Sequence, residues 1–242
     1  MNYRIISSII LIFALVACQG NPLKVVNHNK PDLKVDFSPF GNLGCEWSPY
    51  GGEYLCNDQD KIGCRVIKKN DLLGGLTPTY PIAMCSYWFG WPGSENVPAK
   101  ACFSSNLISG DVVICNRFII FKDGNYSVVK NLDQFKNLFA PVDTPEEALS
   151  FALTDISLSA EYGQTYNDKF QYKVRRLEDT FVTTIHDGYI VHVFDITGAS
   201  GDCSYDQEAV EVKVTREGDI KILNHSSVFH VPASRGQICV PP

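Results

Sequence analysis

Between Ala209 and Thr215 the chain alternates strictly, with Val210, Val212 and Val214 interleaved by Glu211, Lys213 and Thr215. A period of two sends successive side chains to opposite faces, so the stretch predicts a strand with its valines on a core and its polar residues in water. Arg176 to Ile185 alternates in the same way, His186-Asp187-Gly188 supplies a turn, and Tyr189 to Thr197 returns. Glu217-Gly218 then turns the chain into a last strand from Asp219 to His225, or on to Val231. These segments predict an antiparallel meander over about 176–231. Upstream the period changes. Leu149, Ala152, Leu153 and Ile156 recur at helical spacing, with Ala148 and Phe151 widening the stripe. Thr144-Pro145-Glu146-Glu147 before them places a hydroxyl at the N-cap, proline at the first helical position and glutamate at the third, which answers the orphan N–H groups of a helix start. A helix over about 145–158 follows. Asn131 caps a shorter helix, Leu132 to Phe139, that Ala140-Pro141 ends. Val112–Ile114 and Arg117–Phe121 read as strand, Lys122-Asp123-Gly124-Asn125 as a turn, and Tyr126–Val129 as the returning arm of a hairpin.

Residues 41–117 have a different texture. Pro49, Gly51-Gly52, Gly63, Gly74-Gly75, Pro78, Pro81, Pro92-Gly93 and Pro98 interrupt them, which predicts loops and short strands rather than long elements. Residues 18–40, with Pro22, Pro31 and Pro39 and little periodicity, read as a tether in which His28 is solvated. The fold class expected is α+β: a disulfide-rich loop and short-strand N-terminal part, then a domain over 118–242 with the helix packed on the antiparallel meander. In element order alone this C-terminal part resembles cystatin-like and PepSY-like domains.

At the N-terminus Arg4 precedes an apolar run from Ile5 to Val16, and Leu15-Val16-Ala17 leads into Cys18. The run is about twelve residues, the length of a signal-peptide core and short of the roughly twenty that span hydrocarbon. The Leu15–Cys18 stretch resembles the lipobox of bacterial lipoproteins. That resemblance implies a signal peptide over 1–17, acylation of Cys18, and export to the cell envelope with the chain held at a membrane by its lipid. Gln19 stands where an inner-membrane retention signal carries Asp, which favours the outer membrane. With Cys18 assigned to lipid, Cys45, Cys56, Cys64, Cys85, Cys102, Cys115, Cys203 and Cys239 remain, an even number in an exported protein. They read as up to four disulfides, with three bridges inside the first six and Cys203 paired with Cys239. No C-x-x-C pair occurs, so zinc is not the expected alternative.

Composition narrows the function without choosing it. Removal of residues 1–17 leaves 242 − 17 = 225 residues and takes away Arg4 but no acid, moving the formal charge from −6 to −7. An acidic chain without a basic run is not a nucleic-acid binder. Gly198-Ala199-Ser200-Gly201 lacks the spacing of a nucleophile elbow, and no H-E-x-x-H is present. The calcium-loop likeness at Asn57–Gly63 fails, with Ile62 at a ligand position and Lys69 where a glutamate is required. No catalytic residue, metal site or cofactor is assigned. His192 shares a face with Ile190 and Phe194, and reads as a packing residue. Glu178-Asp179 reads as exposed strand. One stretch stands out: Tyr80 to Pro92 holds Tyr87, Trp88, Phe89 and Trp91 between prolines and glycines. On a surface these aromatics form a stacking platform for a glycan or an anchor for a protein; inside, they are the core of a domain poor in regular structure. The expectation is a membrane-anchored envelope protein with a non-enzymatic binding or structural role. The alternative is an envelope-polymer hydrolase with a dispersed active site.

Overall fold

Two antiparallel sheets and two helices share one hydrophobic core. The computed structural model describes residues 23–49, 51–89, 102–107, 113–155, 157–198 and 204–233. In chain order the strands are β1 (Lys24–Val26), β2 (Glu46–Ser48), β3 (Glu53–Leu55), β4 (Val66–Lys68), β5 (Ile82–Phe89), β6 (Ser104–Leu107), β7 (Val113–Lys122) and β8 (Asn125–Val129). They continue with β9 (Leu158–Ser159), β10 (Gln171–Tyr172), β11 (Arg176–Glu178), β12 (Phe181–Ile185), β13 (Gly188–Thr197), β14 (Tyr205–Thr215) and β15 (Ile220–Val231). The α-helices are α1 (Gln59–Ile62), α2 (Leu132–Phe139) and α3 (Pro145–Ala152).

The first sheet runs β2-β3-β4-β5-β7-β6. β7 is long enough to carry two neighbours on its outer edge, β6 along Val113–Asn116 and β8 along Phe118–Lys122. The β7–β8 turn has positive φ at Asp123 (52°) and Gly124 (78°), the paired left-handed residues that let a two-residue turn follow the twist of its strands. The second sheet runs β10-β15-β14-β13-β12, with β9 on the free half of β13. Val210, Val212 and Val214 are fully buried on it, each contributing about 1.5–3 kcal/mol by leaving water. Ile82, Phe118 and Ile120 of the first sheet, Val191 and Val212 of the second, and Phe135 and Phe151 of α2 and α3 belong to the same core.

The capping box at α3 forms in full. Thr144 Oγ1 accepts from Glu147 N at 3.1 Å, and Glu147 Oε2 accepts from Thr144 N at 3.0 Å. The helix is shorter than its apolar stripe, ending at Ala152 rather than near 158. Thr154 Oγ1 donates to Phe151 O at 2.8 Å, and Asp155 accepts from Ser157 N at 3.2 Å. Such local side-chain bonds compete with helix continuation and turn the chain into β9. Ile156 lies outside the described residues.

Three further expectations are corrected. The cysteine-rich part is not short strands and loops alone, because β5 and β7 have eight and ten residues. β5 buries residues on both faces (Ile82 on one, Ala83 and Cys85 on the other), which hides the period of two. β7 also crosses the expected 117/118 boundary, so the hairpin belongs to the first sheet. Residues 23–40 are not a free tether. β1 pairs in parallel with β11, Lys24 opposite Arg176, and Val35 and Phe40 are buried. Lastly, Asp179 is fully buried instead of exposed. Its carboxylate accepts from Asn27 Nδ2 (3.2 Å), His28 N (3.1 Å), Gly163 N (2.8 Å) and Gln164 N (3.0 Å), tying the N-terminal segment to a loop far along the chain.

Candidate functional site

The six cysteines of the first cluster form Cys45–Cys56, Cys64–Cys85 and Cys102–Cys115. Cys64–Cys85 fixes the end of α1 against β5. Asp58 caps that short helix by accepting from Lys61 N at 3.2 Å, and Gly63 ends it at φ 81°, a left-handed conformation open to glycine. Gln59 then continues the ladder where β4 stops: its Nε2 donates to Trp88 O (3.1 Å) and its Oε1 accepts from Trp88 N (3.3 Å).

This scaffold holds an arginine among aromatic rings. Cys85 faces Arg117, Tyr87 faces Cys115 and Phe89 faces Val113 across β5 and β7, so Arg117, Tyr87 and Phe89 share one side of the sheet. Arg117 is 6% exposed, and its Cζ lies 4.6 Å from the Tyr87 ring centre and 5.4 Å from that of Phe89. The two rings meet edge-on at 4.8 Å. The Tyr87 hydroxyl donates to Asp60 Oδ1 at 2.5 Å. That bond, with burial and the Asp60 charge, raises the Tyr87 pKa against the opposing pull of Arg117, and the hydroxyl stays protonated. Burial lowers the Arg117 pKa, yet a guanidinium remains charged throughout the physiological range.

A cavity of about 600 Å³ opens over Arg117, with Asp60, Lys61, Ser127 and Lys130 at its exposed rim. Three cations and one carboxylate line it, on a chain whose net charge is −6. A guanidinium stacked on rings uses its π-face for them and its planar N–H fork for in-plane acceptors such as carboxylates. The cavity thus sets three cations beside an aromatic surface.

Of the aromatics singled out in the sequence, Tyr87 and Phe89 line this pocket. Strand alternation turns Trp88 away from Arg117; it is 40% exposed, with Arg65 Cζ 5.8 Å from its ring centre. Trp91, Cys18, Cys203 and Cys239 lie outside the described residues. In the sequence Arg117 reads only as the first residue of the strand stretch Arg117–Phe121. A lone cation inside a strand was the signal, and its aromatic partners lie on a strand some thirty residues away.

Four of the five histidines have structural partners. His28 is half-buried rather than free in solvent: its ring lies 5.0 Å from Phe181, and its Nε2 is 3.0 Å from Glu178 Oε1. His192 stacks on Phe181 at 4.9 Å, and burial depresses its pKa. His225 and His230 meet Glu208 and Asp206 across β14 and β15, at 3.2 and 3.1 Å. Among the described residues no group of three or more His, Cys, Asp or Glu is placed to hold a metal ion, and no helix is long and apolar enough to cross a membrane. The chain matches no protein-family model, no curated protein and no solved structure.

Proposed function

We propose that this chain is an envelope lipoprotein, held at the bacterial outer membrane by acyl chains on Cys18, with a non-enzymatic binding role exercised through the Arg117 pocket. The ligand is a carboxylated glycan. One observation carries the reading: a nearly buried guanidinium packed against two rings in an open, net-positive cavity. Aromatic faces stack on sugar rings, and Arg117 with Lys61 and Lys130 meets the acid. An extended peptide is the poorer fit, because β7 covers one edge of β5 along the pocket and the Gln59 side chain occupies the N–H and C=O of Trp88 on the other. A hydrolase would draw on His28 and Glu178, but that pair already ties the segment after β1 to β11.

The test is calorimetric titration with trigalacturonate and with neutral galactotriose. Trigalacturonate binds and galactotriose does not; Arg117→Met weakens binding about 10- to 100-fold, the size of a lost charge-assisted hydrogen bond. Equal binding of both sugars, or none of the acid, refutes the pocket assignment. Intact-mass measurement of membrane-extracted protein tests the anchor separately, since a free Cys18 thiol on the mature chain removes it.

A further inference from the structure

A second cavity, of about 330 Å³, lies on the other sheet and shares no residue with the Arg117 pocket. Gln207 of β14 reaches it, flanked across the ladder by Ile196 of β13 and Phe229 of β15. The β14–β15 register shifts between Gln207 and Glu208, a bulge of the kind that re-aims a side chain. Gln207 is 7% exposed, and its Oε1 is fully buried without a hydrogen-bond partner. Polar atoms withdrawn from water are almost always partnered, because an orphan bears the whole cost of desolvation. An acceptor left so at a cavity wall marks the place of an absent donor.

The other walls describe that donor's molecule. Phe170 and Phe229 stack at 4.7 Å and 25°, and with Leu177 and Ile196 they make an apolar side. Among the described residues lining the cavity, Glu161 is the one charged group. Its Oε1 accepts from Ser159 Oγ at 3.0 Å, and among the described residues no cation forms an ion pair with it. Burial and the Glu161 charge raise the Tyr205 pKa, so that ring stays neutral at the same wall. The cavity therefore disfavours anions. It presents an acceptor, a negative charge and aromatic faces, the combination that suits an ammonium on an apolar stem.

We infer that this cavity is a binding site for a small organic amine, whose stem lies on Phe170 and Phe229 and whose N–H donates to Gln207 Oε1 with its charge towards Glu161. Three probes with one body and different heads test it: 2-phenylethylamine, 2-phenylethanol and 3-phenylpropionate, titrated into the purified full chain and followed by NMR. The amine binds at least tenfold more tightly than the alcohol, and the carboxylate does not bind. Gln207→Leu weakens the amine at least tenfold while leaving Tm unchanged or raised, since it removes an orphan acceptor; a purely structural glutamine lowers Tm instead. Glu161→Gln, at a partly exposed position, abolishes the preference for amine over alcohol with the fold intact. Binding of the carboxylate as tightly as the amine overturns the inference, as does amine binding indifferent to both substitutions. Absence of binding by all three means that a trapped water completes Gln207, and overturns it equally.

Discussion

Asp179→Ala is the substitution with the largest effect to be expected outside the apolar core. The carboxylate is fully buried and collects N–H groups from Asn27, His28, Gly163 and Gln164. Each donor left without an acceptor costs about 1–3 kcal/mol if it stays dry. Asn27 and Gly163 belong to exposed residues, so water replaces part of what they lose. The remainder comes to about 3–5 kcal/mol, the range for breaking a buried charged network. For a chain of this length that is a fall in Tm of about 6–20 °C. Burial works to raise the Asp179 pKa, but the donations from Gln164, Gly163, Asn27 and His28 outweigh it and hold it below the usual value. A group whose folded pKa is depressed stabilises the fold above its unfolded pKa, about 3.9 for aspartate, and the contribution is lost as pH falls through the folded pKa. The gap in stability between the parent and the variant should therefore start to narrow below about pH 4 and go on closing as pH falls through the depressed folded pKa. Thermal melts followed by circular dichroism at pH 7 and pH 3 measure both effects. Limited proteolysis at pH 7 should cut the variant faster within residues 23–28, the strand and clasp that Asp179 holds. A variant melting within about 2 °C of the parent at pH 7, or a gap that widens in acid, would refute the assignment.

Two other substitutions probe the scaffold. Removing the Cys64–Cys85 disulfide, which closes a sequence separation of 21, by paired serine substitution should cost about 3 kcal/mol, read as a lower denaturant midpoint with a larger m, since the unfolded chain becomes less compact. Gly218→Ala should cost about 2 kcal/mol in a thermal melt, because Gly218 has φ 80° and an added Cβ would stand 2.7 Å from the Phe151 ring that α3 buries.

Much of the fold could be read locally. Thr144 and Glu147 close their capping box, Asp123-Gly124 makes its turn, and Val210, Val212 and Val214 face inward, as their spacing requires. What misled was any position whose neighbours came from elsewhere. The stretch around Tyr87 resembled a loop because prolines and glycines bound it and both faces of β5 are covered. Asp179 resembled a surface acid because its four donors lie about fifteen and about a hundred and fifty residues away.

The candidate sites divide along the same line. Tyr87 and Phe89 could be singled out from sequence, being costly residues in a short span. Arg117 could not be assigned to them until β7 paired with β5, and Gln207 gave no sign at all. The sequence by itself determined caps, turns and the inward faces of strands, because those depend on interactions reaching only a few residues along the backbone. Only the tertiary structure decided which cysteines meet, which acid is buried and which arginine lies against which ring. Those outcomes depend on register between strands distant in the chain, where a slip of one residue sends every side chain to the opposite face.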